Sequence, residues 1–110
     1  MPPEALRIVL VTHPREGADV FARSLVVRRV AACVNLLEVK SVYRWQGAIE
    51  EDPETLLVIK TTTRRLPQLE HILTRDHPYD VPECVAVAPD RVSAPYLAWL
   101  LGETAEASGD

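Results

Sequence analysis

Short β-branched runs alternate along this chain with two stripes of helical period, and that alternation predicts most of the fold. Residues 6–12 (LRIVLVT) are apolar and β-rich, with Pro14 and Gly17 after them, and read as a buried strand. Ala18, Phe21, Ala22, Leu25 and Val26 then recur at i, i+3, i+4, i+7 and i+8, an apolar stripe on a helix of about three turns. Its end is expected at residues 28–30, where Arg28 and Arg29 would complement the helix dipole in the last turn. Residues 32–49 lack a helical period and read as extended. That stretch exceeds an ordinary strand of about 5–6 residues, so a bend or bulge is expected at Gly47 or in residues 38–41. Residues 50–54 (EEDPE) are acidic and broken by Pro53, and read as a solvated turn. Residues 55–62 hold Leu56, Leu57, Val58 and Ile59 in succession, the mark of a strand covered on both faces.

A second helix is expected from Arg64, capped by Thr62 or Thr63, with Pro67 tolerated in its first turn. Leu66, Leu69, Ile72 and Leu73 form its apolar stripe, and Pro78 stops it. Residues 84–88 read as a short strand, and Ser93 as the cap of a terminal helix carrying Leu97, Trp99, Leu100 and Leu101. The single domain spans residues 5–102, and residues 103–110 read as a flexible tail. The order βαββαβ with an appended C-terminal helix predicts an α+β, ferredoxin-like sandwich. Both main helices would then cover one sheet face. The run at residues 56–59 offers water no polar alternate, so the other face needs the terminal helix or a second copy. A long hairpin with unpaired edges favours a second copy.

Composition narrows the function classes. The 110 residues are 47% hydrophobic and 25% charged, which suits one packed domain and not disorder. A net charge of −4 argues against a sequence-independent grip on nucleic acid. No apolar run reaches the roughly 20 residues of a membrane span, and residues 1–7 lack the pattern of a signal peptide, so a cytoplasmic location is expected. Cys33 and Cys84 stand alone in apolar segments, as small hydrophobes of a reducing compartment do, and no Cys-x-x-Cys motif is present.

Five segments stand in a distinctive order: AACVNL (31–36), YRWQG (43–47) followed by IEED (49–52), LVIKT (57–61), HPYDVPE (77–83) and YLAWL (96–100). Together they cover roughly residues 6–101 and resemble the CutA family of divalent-cation tolerance proteins. The resemblance implies a ferredoxin-like fold, a homotrimer built through extended hairpin strands, and a link to divalent-metal tolerance, chiefly copper. It implies no catalysed reaction and no obligatory cofactor.

Within HPYDVPE, His77 and Glu83 offer an imidazole and a carboxylate, acceptable to Cu(II) or Zn(II). The alternative is that His77 caps the second helix and Glu83 borders the fourth strand. The resemblance implies that some family members complete this pair with a cysteine near the end of the first strand, where this chain has Val11, which cannot ligate. His13 shares a strand face with Val11 and is the candidate third ligand. Tyr43, Trp45 and Tyr79 are polar-tipped aromatics that suit a pocket between subunits or interface packing. Lys60, directly after an apolar run, either snorkels at the sheet edge or reaches an anion across a subunit boundary. No P-loop, dinucleotide fingerprint or nucleophile elbow is present, and Glu50, Glu51 and Asp52 are weak acid–base candidates. The leading expectation is a non-enzymatic homotrimer that binds divalent metal ions, with neither nucleic acid nor membrane as partner. A second reading is a signalling or scaffold trimer that binds a small anionic ligand between subunits. A third, an enzyme using Lys60, Tyr79 and His77, ranks last.

Overall fold

The computed structural model describes residues 4–106. The elements run β1 (Leu6–His13), α1 (Ala18–Val27), β2 (Cys33–Trp45), β3 (Ala48–Thr62), α2 (Leu66–Asp76), β4 (Val85–Val87) and α3 (Ala94–Glu103). One antiparallel sheet has the strand order β2-β3-β1-β4. Side chains alternate across it, so Val9 and Val11 of β1 face the same way as their partners Ile59 and Leu57 of β3. These four pack with Ala22 and Leu25 of α1 and Leu69, Ile72 and Leu73 of α2 to form the main core. Val11 is fully buried there, doing the work of a core valine.

Among the described residues, helix covers the second face at one end. Leu100 of α3 packs with Leu6 and Ala32, supported by Ile8, Leu97 and Leu101. Beyond that cluster Leu37, Val85 and Val87 remain 46%, 49% and 44% exposed, flanking the half-buried Leu10 and Val58 on the same face.

The hairpin differs from the sequence expectation. Residues 50–54 are strand, not turn, and the reversal lies at Gln46 and Gly47, with φ of 49° and 83°. Two left-handed residues match the right-handed twist of flanking strands, the geometry of a two-residue primed turn. Pro53 is tolerated because β1 ends at the His13–Thr55 pair, so among the described residues only β2 pairs with residues 48–54 of β3. Pairing runs one-to-one from Cys33–Lys60 to Trp45–Ala48, so the bulge expected at residues 38–41 is absent.

The helix ends also shift. α1 stops at Val27, and Arg28 and Arg29 lie past it, Arg29 at φ 61°, so no basic residue sits in its last turn. The turn carries Val30 and Ala31 into the core, with both backbone N–H groups donating to Leu25 O. α2 starts at Leu66 behind Arg65, with no side-chain cap, because Thr62 belongs to β3 and the Thr63 hydroxyl accepts from Ala5 N–H. Ser93 precedes α3 but makes no capping bond. The ordered chain also passes Gly102: α3 continues to Glu103, and Thr104 is fully buried, its hydroxyl bonded to Leu100 O and its carbonyl to Arg65 Nε. Residues 107–110 of the expected tail lie outside the described residues.

Candidate binding cleft

Pro78 fixes the chemistry at the end of α2. It forbids His77 the helical conformation, so the helix stops at Asp76 and His77 turns extended, at φ −74° and ψ 140°. The ring then folds back against β1 and is 7% exposed. The Tyr79 backbone N–H donates to His77 Nδ1 at 3.1 Å, so Nε2 carries the proton and donates to Thr12 O at 2.9 Å. Both nitrogens of a neutral imidazole are thereby committed. Burial pushes the His77 pKa below its ordinary 6.5, assisted by His13 and opposed by the Thr12 bond and Glu54. The ring packs 5.0 Å from His13 and 4.9 Å from Tyr79, centroid to centroid. Pinned at this end, residues 78–83 line one cleft with Ser41, Val42, Tyr43 and Trp45 of β2, towards the tip of the hairpin, and with Glu54 of β3.

Between that segment and the hairpin lies a cleft of about 730 Å³, lined by Tyr43, Trp45 and Tyr79 together with Glu54 and Glu83. The Tyr79 hydroxyl donates to Glu54 Oε2 at 2.7 Å, and burial followed by this carboxylate raises the Tyr79 pKa. The Tyr43 hydroxyl donates to Asp52 Oδ2, and that bond, ahead of burial and neighbouring acids, pushes the phenol up to about 12. Partial desolvation, followed by Glu54, raises the Glu83 pKa above its ordinary value, although the residue as a whole is exposed. Glu54 is only 5% exposed, and among the described residues it has no cationic partner. The lining contains no Lys, Arg or His.

The candidate residues therefore divide. His13 and His77 are neighbours on the helix side of β1, with His13 Nδ1 already bonded to Pro14 O. Glu83 stands in the cleft wall. Among the described residues no three His, Cys, Asp or Glu side chains form a group able to hold a metal ion. The side chains present do not fit the three or four ligands of a tight transition-metal site. Tyr43, Trp45 and Tyr79 do line one cleft, whereas Lys60 lies outside it on the same sheet face, six residues along β3 from Glu54 and bonded to Asn35. Sequence reasoning missed Glu54. Its signal was the two-residue spacing of Glu50, Asp52 and Glu54, which a strand places on one face and a turn does not.

The family model for CutA1 divalent ion tolerance protein matches residues 7–103. A divalent-cation tolerance protein CutA of Thermus thermophilus is 46% identical over 99 residues, 88% of this chain and 96% of its own length. Mouse protein CutA is 41% identical over 89% of this chain, which spans only 56% of that longer relative. A solved structure of the Thermus thermophilus protein superposes with a TM-score of 0.86 at 44% identity, covering 91% of this chain and 99% of the other. This chain belongs to the CutA1 divalent ion tolerance family. No helix among the described residues is long and apolar enough to cross a membrane.

Proposed function

We propose that this protein acts in divalent-cation tolerance as a non-enzymatic, cytoplasmic homotrimer whose working site is the cleft beneath the hairpin. The observation that carries this reading is the charge of the cleft. Glu54 is nearly buried without a counter-charge from the described residues, Glu83 and Asp80 lie in the same lining, and no basic side chain joins them. A buried carboxylate is costly unless a cation compensates it. The site therefore selects cations. A small anion would meet carboxylates and no Lys60, which disfavours the anionic-ligand reading. Divalent ions, Cu(II) among them, engage the carboxylates weakly, while His77 serves the fold.

The strand order β2-β3-β1-β4 supports a ferredoxin-like topology, and the half-covered second face supports self-association. Leu37, Val85 and Val87 are the residues that a second copy would cover. The unpaired cysteines Cys33 and Cys84 suit a reducing compartment. Light scattering coupled to gel filtration should give three chains per particle, and Val85→Asp should reduce it to one. Cu(II) titration should lose affinity in a Glu54→Gln, Glu83→Gln double variant and keep it in the same experiment on His13→Gln. Metal binding unchanged by the double variant would remove the cleft from the cation role.

A further inference from the structure

The C-terminal helix is attached to the rest of the chain in two ways, and they are unequal. Its apolar side sets Leu97, Leu100 and Leu101 against Leu6, Ile8 and Ala32 at one end of the second sheet face. Leu100 is the one buried residue of α3, so this anchor is thin. Few buried apolar contacts mark the segments of a protein that open locally at low free energy. Residues 88–93, which lead into α3, are neither helix nor strand and supply a hinge.

The second attachment is polar. A helix leaves its last carbonyls without N–H partners and gathers partial negative charge at that end. Two arginines reach this end of α3 from distant parts of the chain. Arg29, in the turn after α1, donates from Nη1 to Glu103 O at 3.2 Å. Arg65, just ahead of α2, donates from Nε to Thr104 O at 2.8 Å. Gln68 Oε1 accepts from Arg65 Nη1 at 2.7 Å, which fixes the plane of that guanidinium. Thr104 itself is fully buried, and its hydroxyl donates to Leu100 O. Arg64 Nη2 lies 3.1 Å from a Glu106 carboxylate oxygen, an exposed pair that adds direction more than strength. Arg29 holds φ at 61°, a conformation that favours glycine, yet glycine there would leave Glu103 O without this donor.

We propose that Arg29 and Arg65 form a latch on the C-terminal end of α3, and that the latched helix is a lid able to open as a unit before the sheet unfolds. The two bonds end on carbonyls of successive residues, so they form and break together as residues 103 and 104 dock. Opening uncovers Leu6, Ile8 and Ala32 beside the surface that a second copy would cover. The latch therefore sets whether the chain covers that end of the face itself.

Hydrogen exchange of the full chain, read by mass spectrometry, tests the latch. In the natural protein residues 94–106 should exchange faster than residues 57–61 of β3; equal protection overturns the lid. Arg65→Met should speed exchange of residues 94–106 about tenfold, with residues 57–61 and the particle mass unchanged. Should that variant fail to fold, Arg29→Met, whose bond is exposed, should speed the same residues about threefold. A rise shared equally by residues 57–61 means that α3 leaves only with the whole fold, and overturns the proposal. Unchanged exchange of residues 94–106 in the folded variant means that the apolar side or a second copy holds α3, and overturns it as well.

Discussion

His77 and Glu83 open and close the same seven-residue motif, yet the fold gives them opposite roles. His77 is 7% exposed with both ring nitrogens bonded to backbone, one to Thr12 O and one to Tyr79 N–H. Glu83 lines the cleft and is exposed as a residue, yet partial desolvation there, followed by Glu54, disfavours its charge. One residue is satisfied and holds the segment in place. The other is left with electrostatic demand that a ligand can meet. The difference teaches that side chains with metal-binding chemistry mark a site only when their lone pairs are free. An imidazole whose two nitrogens are spoken for is a fastener.

The comparison breaks most visibly at His77. His77→Ala removes the side-chain partner of the part-buried Thr12 carbonyl and Tyr79 amide, each worth about 1 kcal/mol, and opens a void beside His13 and Phe21. Urea unfolding at fixed protomer concentration should show a loss of about 2–4 kcal/mol, with residues 77–83 gaining hydrogen exchange. Tyr79→Phe should cost less, about 1–2 kcal/mol, because it removes one bond to a charged acceptor and leaves the ring in place. The same variant should bind cations no worse, since it frees Glu54 Oε2. A Tyr79→Phe protein as unstable as His77→Ala would mean that the cleft side, not the histidine, holds the segment.

A smaller effect follows from protonation. The folded-state pKa of His77 lies below 6.5, so the unfolded chain takes the proton first as pH falls. The stability contributed by the neutral ring is complete above pH 6.5 and is lost as pH drops through 6.5 towards the folded-state value. Its physical basis is direct: imidazolium cannot accept from Tyr79 N–H. His13 and Glu54 face the ring and pull in opposite directions, so the slope is gentle. The Tm should fall between pH 7 and pH 5, and most of that fall should vanish in His77→Ala.

The sheet and both main helices were legible because their periodicities are strong. Val9 and Val11, or Leu25 and Leu69, have one way to be buried. The hairpin was misread because EEDPE carries every mark of a turn, while its strand state depends on the pairing of residues 51–54 with residues 39–42 of β2. That error hid Glu54, since a carboxylate in a solvated turn has no reason to matter. His77 was singled out as a metal ligand, and the structure commits both of its ring nitrogens to backbone. No spacing rule reveals that Thr12 O, 65 positions away in the chain, occupies Nε2. The structure brings the three aromatics to one cleft and leaves Lys60 out, because Lys60 shares a face of β3 with Glu54 but stands six residues further along the strand.

The smallest expected effect is at Glu83, and its sign is the sharpest test of the contrast. Burial and Glu54 raise the Glu83 pKa, so at neutral pH the ionised side chain opposes folding slightly. Glu83→Gln removes that charge and keeps the shape. Because the residue is exposed in the chain, the gain should be no more than about 0.5 kcal/mol. The gain should be largest at pH 7–8 and disappear as pH falls below the raised pKa, where Glu83 is already neutral in the folded state. A satisfied carboxylate, bonded as His77 is, would give the reverse: a loss at pH 7 that shrinks in acid. Comparing urea midpoints of the variant and the natural protein at pH 7.5 and pH 4.5 separates the two. A stabilised variant at the higher pH identifies Glu83 as charge held in the cleft for a ligand, at a small cost to the fold.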